Sequence, residues 1–533
     1  MKTLVVDALA SGKGRRKTTL DVIGAGPRTI CGVLESNGLY PSLTRVETVL
    51  SGDFSVEGFD VLLVSGMKND SVAVRSLVKL WRKNNNGPVL IGGPISSEPF
   101  KVLRRTMGDI AIIGEGEVTL EKLLDLGLVT GQMPSEDCLS TIKGISFKRG
   151  DGFKFNSLKG VMSRERFNRF KPSTRVISHY PLYYASRVYV ETVRGCSNYS
   201  RAKVGLVGET CNSCGKCTEG FLADRYYCPM DIPPGCGYCS VPSLFGPPKS
   251  RKKTEIVSEI TQLLDMGVSR FVLSAPCFLD YGRDYLVDPE PLTDPRYPEP
   301  NYCEIDDLLS SLFSLEKFKQ GKASVLIENV KASLITDKAA EILGEYLSGT
   351  TFSIGLETGS EQHSRMLGRH STPEEVIEAI RRLSRVGIKP YVYVIYGLPG
   401  QNNETVDMTV KAIQESFMNG AERIILYRFQ ALPMSCFSKE PSAASYRKDL
   451  GSRRIYEVAK KANLEAKNLL LNRNMKVIIS EKYYRDKRYN VAYPMYNGPV
   501  VLVKTADEQI GQINEVKIVR ILSDRMVEGI LTR

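Results

Sequence analysis

The sequence predicts an α/β protein in three parts: an N-terminal doubly wound, Rossmann-like domain, a partial β/α barrel of the TIM type, and a small C-terminal OB-like β-barrel. Three observations predict it. Short uninterrupted apolar runs alternate with helical stretches over residues 1 to about 130, the same alternation resumes after residue 250, and from about 465 the chain turns to short strands at regular spacing. A chain of 533 residues is too long for one core. The expected parts are 1–135, a strand-rich connector at 136–187, a barrel at 188–450 with an insert at 197–235, and the terminal barrel at 465–533.

In the N-terminal third the strands read Leu4-Val5-Val6, Val61-Leu62-Leu63-Val64, Val89-Leu90-Ile91 and Ile110-Ala111-Ile112-Ile113. Continuous apolar runs of this length suit a parallel sheet covered on both faces. Three of them end in Ser65-Gly66, Gly92-Gly93-Pro94 and Gly114-Glu115-Gly116. Ligands of open doubly wound sheets bind beyond the carboxyl ends of the strands, where glycine lets the backbone approach something large.

The densest chemical signal follows. Seven of the 12 cysteines fall between residues 196 and 239. Cys196 and the pair Cys236-Gly237-Tyr238-Cys239 are separated by 39 residues, and four more thiols, Cys211, Cys214, Cys217 and Cys228, lie between them. Clustered cysteines with no secretion signal point to metal in a reducing compartment. Cys211-x2-Cys214-x2-Cys217 with Cys228-Pro229 suits a ferredoxin-like 4Fe–4S cluster or a closed structural zinc site, and the spacing does not choose between them. Cys31, Cys138, Cys277, Cys303 and Cys436 are isolated and read as ordinary residues, with Cys277 at a strand end the one candidate for a role.

After Cys239 comes a helix over 252–266. The strands then read Phe271–Leu273, Ser324–Ile327, Thr351–Leu356, Tyr391–Ile395 and Arg423–Leu426. The proline-rich segment 280–305 reads as a loop over the barrel mouth. Chemistry in such barrels sits at the carboxyl ends of the strands. Those ends carry Ser274, then Glu357-Thr358-Gly359-Ser360, then Tyr396-Gly397-Leu398-Pro399-Gly400. His363 and His370 lie just past one of them and read as surface or capping residues.

The C-terminal region holds eleven Lys and Arg against seven Asp and Glu from residue 471 onward. Tyr483, Tyr484, Tyr489, Tyr493 and Tyr496 are interleaved there with Lys482, Arg485, Lys487 and Arg488. Basic and aromatic side chains on an OB-like barrel suit single-stranded RNA, a peptide, or mere protection of strand edges. Net charge is +12, from 72 basic and 60 acidic side chains, which favours an anionic partner without choosing one. No apolar run is long enough for a membrane span, and Met1-Lys2-Thr3 leads straight into a strand, so a cytoplasmic protein without signal peptide or membrane contact is expected.

These motifs together resemble the cobalamin-dependent radical S-adenosylmethionine (SAM) methyltransferases. The N-terminal pattern, notably Gly92-Gly93-Pro94 and Gly114-Glu115-Gly116-Glu117, is similar to their cobalamin-binding domain. The resemblance implies that Ser65, Gly66, Gly92, Gly93, Pro94, Gly114, Glu115 and Gly116 line cobalamin. None of the three histidines lies in that region, so cobalt would have no histidine ligand. Cys196, Cys236 and Cys239 would hold a 4Fe–4S cluster with one iron open to SAM, although the usual spacing is C-x3-C-x2-C. Tyr238, Ser274, Glu357, Thr358, Tyr396 and Gly397 would contact SAM. The tail is similar to a TRAM domain. What this implies is methylation of an unactivated carbon through a 5′-deoxyadenosyl radical and methylcobalamin. Among such enzymes the chain looks most like the archaeal glutamine C-methyltransferases of methyl-coenzyme M reductase, which implies a protein or peptide substrate, a methanogen, and a reductant such as ferredoxin. A methylthiotransferase acting on transfer RNA is the alternative; those enzymes carry three further cluster cysteines in the N-terminal domain, where this chain has only Cys31. A non-enzymatic cobalamin or redox sensor would not require the barrel motifs.

Overall fold

The computed structural model describes residues 1–16, 20–158, 160–204, 211, 214–496, 498–523 and 525–532. They form two compact units, one of residues 1–190 with 254–268, the other of residues 191–253 with 269–533.

The first unit is built on a seven-stranded sheet. Thr3–Asp7 lies between Ser42–Arg45 and Val61–Ser65, and Val89–Gly92 and Ile110–Ile112 continue the parallel part. In chain order these five strands run 2-1-3-4-5, the doubly wound arrangement whose direction reverses between the first and third strands. All four apolar runs read from the sequence are strands. The edge strand Ser42–Arg45 carried no comparable signal, because three of its four residues are polar. An antiparallel hairpin, Ile145–Arg149 with Gly152–Asn156, completes the sheet. Helices such as Ser71–Asn84 cover it through Ala73, Val74, Leu77, Val78 and Trp81, an i, i+1, i+4, i+5, i+8 stripe that is fully buried. The helix expected over 252–266 forms as Lys253–Asp265 and packs within this unit, where Glu259 meets the buried Arg28 at 2.8 Å.

In the second unit the barrel strands are parallel. Arg270–Ser274 pairs with Ser324–Ile327, and Asn329–Val330, Thr351–Glu357, Lys389–Tyr396 and Arg423–Arg428 form one sheet in that order. Helices return the chain between them. Pro373–Arg385 opens with a capping box, in which Thr372 and Glu375 each satisfy the other's backbone N–H. The proline-rich segment is well packed: Leu292 and Thr293 are buried, and Arg283 holds the Pro298 and Asp294 carbonyls. The unit ends in a closed five-stranded barrel of Asn474–Lys482, Asn490–Pro494, Val500–Val503, Met526–Leu531 and Ile513–Ile521. Closure leaves no free sheet edge. Among the described residues no helix is long and apolar enough to cross a membrane.

Candidate active site

Cys196 and Cys236 meet across the insert, and Asn198 joins them. Its backbone N–H faces the Cys196 sulfur at 3.5 Å, and its side-chain amide donates to the Cys236 sulfur at 3.3 Å and to the Gly368 carbonyl at 2.9 Å. Cys239 follows in the same turn, with its N–H on the Cys236 carbonyl at 2.8 Å and its sulfur accepting from the Val241 N–H at 3.5 Å. The ends of the insert are closed by the Gly235 N–H on the Ser200 carbonyl at 2.8 Å. Two glycines make the approach possible. Gly195 has φ +94°, and a Cβ there would stand 2.2 Å from the Pro247 carbonyl oxygen; a Cβ on Gly237 would stand 2.4 Å from the Phe437 ring.

Beside the thiols lies an acid–base cluster. Glu357 ends the strand Thr351–Glu357 at a β-bulge and holds φ +62°, the left-handed region that a residue with a side chain seldom adopts. Such strain collects at functional sites. The Arg369 guanidinium stands 3.6 Å from Glu357 and donates to the Tyr238 hydroxyl at 2.6 Å. Burial pushes the Glu357 carboxyl up to about 7, against the pull of Arg369. Its Oε2 is buried and, among the described residues, has no hydrogen-bond partner.

A second buried network backs Cys196. Asp280 pairs with Lys331 at 2.6 Å and with Arg283, and Ser197 bonds both Asp280 and Lys331. The two cations overcome the burial of Asp280 and hold its carboxyl below the usual range. Cys277 belongs to this network; its sulfur accepts the Lys331 N–H at 3.4 Å, and burial pushes its thiol up to about 12. That makes it a packed core thiol.

The donor set fits an iron–sulfur cluster. Burial raises the Cys196 and Cys239 thiols, Cys239 to about 12, and the neighbouring thiol charges push Cys239 further. A buried cationic centre is what turns such a crowded set into thiolates. The partnerless Glu357 oxygen fits a cationic or N–H-bearing ligand beside it. Among the described residues no three Cys, His, Asp or Glu side chains are already closed to the spacing of a single bound ion.

Residues 226–413 match the Radical SAM superfamily model. Protein MJ1620 of Methanocaldococcus jannaschii is 39% identical over 99% of this chain and 98% of its own length, and MK0932 of Methanopyrus kandleri is 39% identical over 99% and 96%. The chain belongs to this family of radical SAM proteins. A radical SAM domain implies a 4Fe–4S cluster and SAM. The match begins at residue 226, so Cys196 is joined to the domain by geometry, through Asn198. The fold also resembles TsrM from Kitasatospora setae, a radical SAM methyltransferase with cobalamin and a 4Fe–4S cluster bound (TM-score 0.57, 14% identity, 82% of this chain and 77% of that one). Relatives named as methylthiotransferases stand further off, at 22% to 23% identity.

In this radical SAM protein the other expected contacts divide. Tyr238 sits in the Arg369 cluster. Thr358 is held by His363, whose other ring nitrogen reaches the Pro399 carbonyl at 2.8 Å. His363 is thus no surface residue: it is buried and ties the strand ends bearing Glu357 and Tyr396 together. His370 is likewise tied in, to Ser371 at 2.7 Å and Ser333 at 3.2 Å. Tyr396 is buried, and Gly397 has φ +72° with Ala443 packed where a Cβ would go. The Ser274 hydroxyl is committed to Glu328 at 2.6 Å. Asn198, Arg369, Lys331, Asp280 and Glu328 carry no motif, and only the position of Asn198 two residues after Cys196 could have flagged any of them.

In the N-terminal unit the glycine turns stack on one another. Gly66 receives the Ile95 N–H at 3.0 Å, and a Cβ on Gly93 (φ +82°) would meet the Gly66 oxygen at 2.9 Å. Ser65 stands beside them, and Pro94 opens the turn Pro94–Ser97. Gly114 (φ +75°) precedes Glu115, whose carboxylate holds the Met162 N–H at 2.6 Å, and Gly116 starts the helix Gly116–Asp125. At the switch point Asp7 is buried against Arg16 and the Tyr180 hydroxyl. A cavity of about 1150 Å³ lies at the opposite, amino ends of the strands, lined by Asp60, Gly87 and Asp109 among others, away from the glycine turns.

On the C-terminal barrel the expected stacking surface is smaller than the sequence suggests. Tyr493 is buried beneath Arg270, Tyr489 bonds Glu528, Lys482 pairs with Asp507, and Arg488 with Asp486. Tyr484, Arg485, Lys487, Arg488 and Tyr496 stay exposed, and Tyr483 packs edge-on against Tyr484 at 5.2 Å.

Proposed function

We propose that this radical SAM protein is a cobalamin-dependent methyltransferase that places a methyl group on an unactivated carbon of a protein residue, with a glutamine of methyl-coenzyme M reductase as candidate. The observation that carries the reading is the bridge that Asn198 makes between the Cys196 and Cys236 sulfurs, with Cys239 in the same turn, beside the partnerless carboxylate oxygen of Glu357. Cys196, Cys236 and Cys239 would hold the 4Fe–4S cluster, and the glycine turns at Ser65-Gly66, Gly92-Gly93 and Gly114–Gly116 would hold cobalamin. The cluster with SAM supplies a hydrogen-abstracting radical, and cobalamin supplies the methyl group.

The chain's own residues bind and position. Glu357 would accept from the SAM amino group, and Arg369 holds that carboxylate and the Tyr238 hydroxyl in place. Gly355 leaves room there, since a Cβ on it would stand 2.5 Å from the Glu357 oxygen. His363 keeps the Thr358 and Pro399 turns at a fixed separation. Asp280 and Arg283 of the 280–301 segment are buried and reach Ser197, next to Cys196.

The likeness of the fold to TsrM supports the cobalamin part of this reading, and the choice of substrate rests on the sequence resemblance alone. A reductant such as ferredoxin would supply the electron, and the exposed Tyr484 and Arg485 would contribute to binding a peptide or RNA. The test is anaerobic incubation of the reconstituted protein with cobalamin, SAM, a strong reductant and a reductase peptide, read by mass spectrometry. Joint appearance of 5′-deoxyadenosine, S-adenosylhomocysteine and a peptide heavier by one methylene is expected. A methylthio group on transfer RNA would replace the proposal with its alternative, and absence of SAM cleavage would overturn both.

A further inference from the structure

The four insert cysteines take no part in the site above, yet they are together. Cys211, Cys214, Cys217 and Cys228 all line one cavity of about 130 Å³. This cavity is distinct from the Cys196–Cys236–Cys239 site, none of whose thiols lines it.

Its wall is basic. Arg201, Lys203 and Lys216 line it, with Glu219 the one carboxylate among the lining residues. Arg201 is 4% exposed, and its guanidinium lies within electrostatic reach of Cys228, Cys217 and Cys214. The same guanidinium holds the Tyr199, Arg225, Tyr226 and Ile232 carbonyls. Thus one buried cation ties the two arms of the insert together and faces the thiols. Such a lining stabilises an anionic centre, and four thiolates around a metal are anionic.

The space leaves room for the larger of the two centres that the spacing allows. Thiolates closed on a zinc ion stand about 2.3 Å from it, which leaves no void between them. A void that holds one water needs only about 10–15 Å³, so 130 Å³ is roughly ten times that. The four thiols share this space with ten other lining residues, and together they leave room for a polynuclear centre. The order Cys-x2-Cys-x2-Cys followed by Cys-Pro is also that of ferredoxin-type ligation.

We infer that Cys211, Cys214, Cys217 and Cys228 bind a second 4Fe–4S cluster, fully ligated by protein and separate from the cluster at Cys196, Cys236 and Cys239.

The experiment compares the full chain, reconstituted anaerobically with iron and sulfide, with a Cys196→Ala/Cys236→Ala/Cys239→Ala variant and a Cys211→Ser/Cys214→Ser/Cys217→Ser/Cys228→Ser variant. Iron, acid-labile sulfide and zinc are measured per chain, and the dithionite-reduced proteins are examined by EPR with and without SAM. Two clusters give about eight iron per wild-type chain, and about four in either variant. On the wild type alone, two reduced-cluster signals are expected, of which SAM perturbs one; this holds whether or not a variant folds. About four iron with one zinc in the wild type, or a single EPR signal that responds to SAM in full, would overturn the inference. That result would leave the proposed function standing. Failure of the proposed function has a different pattern: insert iron retained, and no methylated peptide in the mass spectrum.

Discussion

Glu357 couples strain, burial and charge in one residue. It sits in left-handed backbone with its carboxyl raised to about 7, chiefly by burial. A carboxyl with a folded-state pKa above its unfolded value contributes stability that is full below the unfolded pKa and is lost as pH rises through the folded one. Between about pH 4.5 and 7, the ligand-free protein should therefore lose stability from this residue as pH rises. Glu357→Gln should flatten that slope, by about 1–3 kcal/mol across the window. Urea unfolding of both proteins at pH 5 and pH 8 checks this; equal slopes would remove Glu357 as the source. The variant should also weaken SAM binding at pH 8, read by calorimetry on the cluster-loaded protein.

The buried Asp280 network makes a second prediction at this scale. Lys331→Met leaves Asp280 with Arg283, whereas Asp280→Asn leaves two cations without their carboxylate. Breaking a buried pair costs about 3–5 kcal/mol, so Asp280→Asn should lie toward the upper end and Lys331→Met below it. Thermal melting of the two variants side by side decides the order. The residue scale is also where the sequence was least informative. Cys196, Cys236, Cys239 and Glu357 were legible because their types and spacing are chemical signals. Arg369, Lys331 and Asp280 were not, since a charged residue on a strand or turn reads as solvated until its neighbours are known.

Among elements, the carboxyl-end turns of the N-terminal sheet carry a sharper test than mutation of Gly93. A Cβ on Gly93 would collide with the Gly66 oxygen at 2.9 Å, so any substitution there also disturbs the fold. Gly92 lies next to it, and a Cβ on Gly92 would meet nothing within 4 Å. Gly92→Trp should thus leave the melting temperature nearly unchanged while lowering bound cobalamin at least tenfold, measured by absorbance after desalting. Unchanged cobalamin content would move the ligand away from these turns. The strands themselves were readable, because fully buried parallel strands are continuous apolar runs. Ser42–Arg45 was not, because an edge strand tolerates polar residues and lacks that signature. The helix Lys253–Asp265 was visible as a helix, but its amphipathic stripe does not say which unit it packs on.

At the scale of the whole molecule, the metal sites should behave as folding elements. Arg201 holds four backbone carbonyls of the insert, those of Tyr199, Arg225, Tyr226 and Ile232. Loading the protein with iron and sulfide should raise its melting temperature by several degrees, since ligand bound only to the folded state stabilises it. Chelation under oxidising conditions should reverse the gain. A melting temperature indifferent to metal would mean that the thiols are held by the protein fold alone.

By itself the sequence determined the class of the protein: an α/β chain with a doubly wound sheet, a partial barrel with glycine-rich strand ends, a closed terminal barrel, and thiols in metal-binding number and order. These are local properties, written in the period of apolar residues and in residue type. Tertiary structure alone decided which thiols share a site. Cys196 and Cys236 have 39 residues between them and meet where the Gly235 N–H binds the Ser200 carbonyl and Asn198 bridges their sulfurs. It decided too that Tyr493 is buried and that Lys482 pairs with Asp507. The reason is physical: composition states what a side chain is able to bind, and only long-range packing determines whether its partner is a ligand, the solvent, or another part of the same chain.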